Sequence, residues 1–179
     1  MKKKLTIKNA LQIAKKNFRK IKNKESREYH LLHSFLVRET IKILSKYFKV
    51  DRKPLEIAAI VHDIGYVTDP KNHAEESLKI LQKEFEIDDI VKDCILNHGS
   101  DKKPKTFEGK LFQLADKLCI FHPELIKYLI TYRKNLKKED YKFLNSILAK
   151  GFYLLTSFKE KDLIKNKSEV NFGFTKNQI

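Results

Sequence analysis

Histidine and carboxylate side chains are the residues of this chain best suited to hold a cation, and a helical reading turns six of them inward: His33, His62, Asp63, His73, His98 and Asp116. The densest signal is the doublet His62-Asp63, followed by Ile64-Gly65, which closes the most continuously apolar helical stretch, residues 55–61. His33 shares a helix face with Leu36, Val37, Thr40, Ile41 and Leu44. His98 lies three and four residues beyond Ile95 and Cys94, on the stripe begun by Ile87, Ile90 and Val91, and His73 opens its helix on the side of Ser77 and Leu81. Asp116 stands in the middle of a segment that is apolar nearly all round, with Leu111, Phe112, Leu114, Ala115, Leu118, Cys119 and Ile120. An uncompensated carboxylate in such a helix is costly, so Asp116 needs either a salt bridge or helix cap, or a metal ion. One inward histidine is more often a hydrogen-bonded core residue. Six nitrogen and oxygen donors sent to one interior point instead to metal.

The elements that must position these residues read as helical almost throughout, because apolar residues recur three and four apart and alternating β-branched runs are few. The expected fold class is all-α. A first helix is expected over 6–21, with Ile7, Leu11, Ala14, Phe18 and Ile21 on one face, and a second over 27–48. A third starts after Asp51, which can cap it, and reaches the His62-Asp63 doublet. After a turn at 67–71, helices are expected over 73–85, 88–97, 108–121, 123–135 and 139–158. The stretch 99–105, with Gly, Pro and three Lys, reads as a mobile basic loop, and residues from Lys165 onwards as a polar tail. In the last helix Leu144, Ile147, Leu148, Phe152 and Leu155 form a stripe that either closes the core or makes a dimer face, which leaves monomer and homodimer both open.

A chain of 179 residues fits one domain, 1–179, with a core of about 27–135, a basic N-terminal helix within 1–26 and a C-terminal helix within 136–165 packing on it. The formal charge is +15, and up to Arg27 eleven Lys or Arg stand against one acidic residue, Glu25. That segment is a candidate surface for nucleic acid, although lysine-rich faces are usually just solvated. Cys94 and Cys119 show no metal or disulfide spacing and read as small buried residues. No apolar run approaches the length of a membrane span, and the Lys-rich start lacks the apolar stretch of a signal peptide, so a cytoplasmic protein with no membrane partner is expected.

The order His33, His62-Asp63, His98 and Asp116 resembles the HD superfamily of metal-dependent phosphohydrolases. The doublet stands in the fuller form His62-Asp63-Ile64-Gly65; His33-Ser34-Phe35-Leu36-Val37 looks like the family's first helix, and Leu114-Ala115-Asp116-Lys117-Leu118 like its last. His73 and His98 occupy the places of two further histidines that mark the dinuclear, usually iron-containing branch. The resemblance implies one ion on His33, His62, Asp63 and Asp116 and a second on His73 and His98, with Asp63 bridging and His62 and Asp63 central to catalysis. His30, on nearly the same face, is the rival to His33 as first ligand. The layout around Ile95-Leu96-Asn97-His98 is also loosely similar to bacterial diadenosine tetraphosphate hydrolases, though Gly99-Ser100-Asp101-Lys102 departs from them.

Two divalent ions can lower the pKa of a shared water and hold a phosphate oxygen for in-line attack, with no nucleophilic side chain required. Histidine and carboxylate donors without thiolate suit iron or manganese, and also cobalt, nickel or zinc, better than magnesium. The implied substrate is a nucleotide or another small phosphorylated metabolite. Arg38 and the loop lysines Lys102, Lys103 and Lys105 are candidate phosphate contacts, and Tyr66 could stack on a base although packing is the plainer role. His122, beside Pro123, reads as a capping or surface residue. The alternatives are a nucleic-acid phosphodiesterase or nucleic-acid-binding protein, and a di-iron oxygenase of the same superfamily.

Overall fold

Five helices start on side chains that accept a hydrogen bond from an otherwise free first-turn amide, which fixes where each one begins. Thr6 accepts from Asn9 N at 3.2 Å, Asn23 from Ser26 N at 2.7 Å, Asp51 from Lys53 N at 3.0 Å, Asp88 from Ile90 N at 2.8 Å and Thr106 from Gly109 N at 2.9 Å. The computed structural model of the chain describes residues 2–132 and 138–159. The helices are α1 (Ile7–Phe18), α2 (Lys24–Leu44), α3 (Arg52–Val61), α4 (His73–Gln82), α5 (Asp89–Leu96), α6 (Phe107–Leu118), α7 (Pro123–Tyr132) and α8 (Lys138–Thr156), with short 3-10 turns at Ile64–Val67 and Cys119–Phe121. The all-α reading holds, and the expected helices are present with ends shifted by a few residues. The expected polar tail from Lys165, and residues 133–135 at the end of the seventh helix, lie outside the described residues.

The centre of the bundle is α3, whose residues from Leu55 to Val61 are all buried. It packs against α1, α2, α5 and α6, and α8 covers α6. Burying that one helix on all sides explains why its sequence shows no polar stripe. One feature escaped the sequence: β1 (Lys3–Lys4) and β2 (Phe85–Glu86) pair in parallel, Lys3 opposite Phe85 and Lys4 opposite Glu86. The helix expected over 73–85 therefore ends at Gln82, and a ladder of two residues carries no periodicity to read.

Two expectations are corrected. Leu11 is exposed, and α1 turns Ala10, Ala14, Asn17 and Phe18 inward instead. Among the described side chains of α8, Gly151 and Leu154 are buried and Ile147 lines the cavity described below, while Phe152 and Leu155 of the expected stripe are exposed and do not close the core. The basic loop is pinned at both ends. Asp93 accepts from Lys105 N, Thr106 N, Thr106 Oγ1 and Asn97 Nδ2, and Gln113 Nε2 donates to the carbonyls of Asn97, Gly99 and Lys102. Those hydrogen bonds outweigh the burial that opposes charge on Asp93, and its carboxyl is held below the usual range. No helix among the described residues is long and apolar enough to cross a membrane.

Candidate metal centre

Five elements deliver the donors. His33 comes from the middle of α2, His62 is the C-cap of α3 and Asp63 follows it, His73 opens α4, His98 follows α5, and Asp116 lies in α6. The turn after the doublet is what brings α4 close. A Cβ at Gly65 would collide with the His73 carbonyl oxygen and the Ser77 amide nitrogen, so only glycine lets the chain pass there. Gly65 N donates to Ser77 Oγ at 2.8 Å, and Ser77 Oγ donates to the His62 carbonyl at 2.7 Å, locking the doublet to α4.

His33 Nε2 lies 3.1 Å from His62 Nε2 and 3.0 Å from Asp116 Oδ1, with His62 Nε2 3.6 Å from the same oxygen. An ion with bonds of ~2.1 Å spaces its ligands ~3.0–3.4 Å apart, so two of the three separations match a coordination shell and the third is slightly longer. Asp63 Oδ1 lies 3.4 Å from His73 Nε2, 3.5 Å from His62 Nε2 and 3.7 Å from His98 Nε2, while Oδ2 faces His33 Nε2 at 3.7 Å and His30 Nδ1 at 3.5 Å. His73 and His98 complete the group with their Nε2 atoms 3.0 Å apart. His33, His62 and Asp116 form one buried set that could hold an ion, and His62, Asp63 and His98 another.

The ring orientations are set from behind. His62 Nδ1 meets Ala59 O at 3.1 Å, His73 Nδ1 meets Pro70 O at 3.0 Å and His98 Nδ1 meets Ile95 O at 2.6 Å. A carbonyl only accepts, so each Nδ1 is the donor and each ring turns its Nε2 to the centre. Burial pushes the His62 imidazole down to about 4 and lowers His98, keeping both neutral near pH 7. Burial opposes charge on His33 as well, but Cys119 and Asp116 beside it prevail and raise it well above the usual histidine range. Asp63 and Asp116 are held low despite burial, by the surrounding histidines for the first and by Lys117 and His33 for the second.

His33, Asp63, His73, His98 and Asp116 line a cavity of about 260 Å³, together with Tyr29, Tyr66, Lys117 and an apolar wall of Ile120, Leu125, Leu129 and Ile147, while His62 lies fully buried behind it. The Tyr66 ring stacks on His73 at 4.3 Å and lies as close to His30; burial, with the Asp63 carboxylate, pushes its phenol up to about 12, so it remains a donor. The four other cations expected near substrate lie elsewhere. Arg38 Nε donates to the buried Glu56 at 2.7 Å and ties α2 to α3, because a carboxylate in the core needs that partner more than the cavity does. Lys102, Lys103 and Lys105 are exposed and outside the cavity lining, which takes Gly99 and Ser100 from the same loop.

The cation that does face the cavity was missed. Lys117 is buried and paired with Asp116 Oδ2, so Asp116 has both a lysine partner on one oxygen and the histidine cluster on the other. A buried lysine needs a partner as much as a buried aspartate does, and each supplies the other's. His30 is buried next to Asp63, and Cys119 lies 3.4 Å from His33 Nδ1. His122 accepts from Glu124 N at 3.3 Å, the capping role expected of it.

An all-helical bundle that converges histidine and aspartate from five elements on one cleft is a metal-binding domain in its build. The chain belongs to the HD domain family, whose model matches residues 31–120. It is 24% identical over 115 residues to a deoxyguanosinetriphosphate triphosphohydrolase-like protein of Caldanaerobacter subterraneus subsp. tengcongensis, covering 53% of this chain and 34% of that one. It is 31% identical over 96 residues to Ribonuclease Y of Ureaplasma parvum, covering 52% of this chain and 20% of the relative. Ribonuclease Y of Desulforamulus reducens is 28% identical over 112 residues, with 60% and 22% covered. The chain thus spans about a third or less of the length of these relatives. No solved structure gives a significant match.

Proposed function

We propose that the chain is a metal-dependent phosphohydrolase that cleaves a phosphate ester or anhydride of a nucleotide or other small phosphorylated metabolite. The observation that carries this is the pair His73 and His98. Both Nδ1 atoms donate to carbonyls, which aims the two Nε2 atoms at each other across 3.0 Å with Asp63 Oδ1 beside them, three donor atoms converging where one cation could be shared. His33, His62, Asp63 and Asp116 would hold one divalent ion, and His73 and His98 a second, with Asp63 between them. Nitrogen and oxygen donors without thiolate favour iron or manganese.

When bound, such ions supply an activated water and charge neutralisation at the phosphate. The chain's own residues do the rest. Lys117 places a cation on the cavity wall for a phosphate oxygen, and Tyr66 offers a protonated phenol. The wall of Ile120, Leu125, Leu129 and Ile147 excludes water and receives the organic part of the substrate. A cavity of about 260 Å³ lies just under the ~300 Å³ at which ordinary ligand pockets begin, which favours a small substrate over a bulky one. The test is a screen of phosphatase and phosphodiesterase activity on anaerobically purified protein with iron, manganese, cobalt, nickel or magnesium. Hydrolysis that depends on a transition metal and is lost in His62→Ala and Asp63→Ala supports the proposal; turnover that survives both substitutions sinks the assigned site.

A second reading, a nucleic-acid phosphodiesterase, is favoured by the Ribonuclease Y relatives and by the exposed lysines of the N-terminal segment, among them Lys8, Lys15 and Lys16. RNA binding that weakens steeply with salt would support it, and a flat salt response would remove it.

A further inference from the structure

Of the nitrogens around Asp63, one belongs to no assigned ligand. His30 is buried at 6% exposure, and its Nδ1 lies 3.5 Å from Asp63 Oδ2 with no hydrogen-bond partner among the described residues. The ring is held in place by its neighbours: it stacks on Phe18 of α1 at 5.8 Å and 11°, meets Tyr29 edge-on at 5.5 Å and lies 4.3 Å from Tyr66. A buried donor clamped in this way has few ways to be satisfied, and an unsatisfied one is disfavoured. Asp63 offers the matching vacancy. Its Oδ1 is surrounded by the Nε2 atoms of His62, His73 and His98, whereas its Oδ2 is approached only by His33 and His30 in the contacts given above.

Resting on the phosphohydrolase reading, we propose that His30 is a positioning residue for the metal centre: its Nδ1–H is the donor that fixes Asp63 Oδ2, and so sets the plane of the carboxylate shared by the two ions. Ligating carboxylates are oriented by such donors, and their loss weakens the centre without touching a ligand. His30 and its clamp Phe18 both precede the 31–120 segment matched by the family model, so α1 and the start of α2 contribute to the site although they lie outside that match.

The test separates the ring's polar atom from its bulk. His30→Phe keeps an aromatic ring against Phe18 and Tyr66 but removes the donor, His30→Asn returns a donor near the Nδ1 position, and His30→Leu is a second apolar variant should His30→Phe fail to fold. Chelator-stripped proteins are titrated with Mn²⁺ by equilibrium dialysis, and folding is followed by thermal melting monitored by circular dichroism. The apolar variant is expected to melt as wild type without metal yet bind Mn²⁺ about tenfold more weakly, and His30→Asn to recover most of that loss. Wild-type Mn²⁺ affinity in His30→Phe or His30→Leu, or an Asn variant as weak as the apolar one, overturns the role of His30 alone. A wild-type protein that takes up no Mn²⁺ or Fe²⁺ overturns the parent reading and this one with it.

Discussion

Lys117 and His33 divide the two oxygens of Asp116 between them, and that division sets how this centre answers to pH and to mutation. Lys117 is itself nearly buried, and despite the burial that opposes its charge the Asp116 carboxylate raises its pKa. Replacing Lys117 by Met leaves Asp116 charged and unpaired on that side, which is expected to destabilise the metal-free protein by about 3 kcal/mol. Added metal should return much of that stability, and denaturant unfolding with and without Mn²⁺ measures both. His33 predicts a proton linkage. Its folded pKa is raised, so at neutral pH the metal-free ring carries a proton that an ion must displace, and binding releases it. Affinity should therefore rise with pH up to the raised pKa, while His62, neutral above about 4, contributes no such slope near neutrality. Calorimetry in buffers of different ionisation enthalpy reads the released proton directly; uptake, or none, would contradict the assignment. The six donors were legible because each lies on, or caps, a helix with a clear apolar face. Lys117 and Cys119 were not singled out as part of the site, since a lysine and a small thiol on those faces have ordinary roles by default, and His30 was weighed only as a rival to His33 for the first ligand.

At the scale of elements, the turn Ile64–Val67 couples the doublet to α4, and Gly65 is its contact point. In Gly65→Ala the added methyl group must push the first turn of α4 away, carrying His73 from His98 and Asp63. A loss of about 3 kcal/mol is expected from this overpacking. Metal analysis should show one ion retained on His33, His62 and Asp116 and the other lost, whereas unchanged stoichiometry would mean that α4 is not positioned by this turn. Helix order and most helix starts could be read beforehand, because capping side chains such as Asp51 and apolar spacing are local signals. The β1–β2 ladder, the anchoring of the 99–105 loop by Asp93 and Gln113, and the face α8 turns inward all depend on contacts distant in sequence. In α8 apolar residues at 147, 148, 152, 153, 154 and 155 supply two competing faces, and packing against α6 selects the one containing Leu154.

The whole molecule joins a family core over 31–120 to parts that lie outside it: α1 backs His30, while α7 and α8 close the cavity with Leu125, Leu129 and Ile147. If the chain is the phosphohydrolase proposed above, substrate choice is expected to reside in that second contribution, since the metal donors do not distinguish one phosphorylated substrate from another. The central claim is that the converging histidines and aspartates are a metal centre. Its most direct test is the metal content of anaerobically purified protein beside Asp63→Ala, measured by inductively coupled plasma mass spectrometry. The account predicts about two transition-metal ions per wild-type chain and a marked loss in the variant, since Asp63 Oδ1 and Oδ2 face both groups of histidines. A wild-type chain that carries no transition metal and takes up none when iron or manganese is supplied would contradict it.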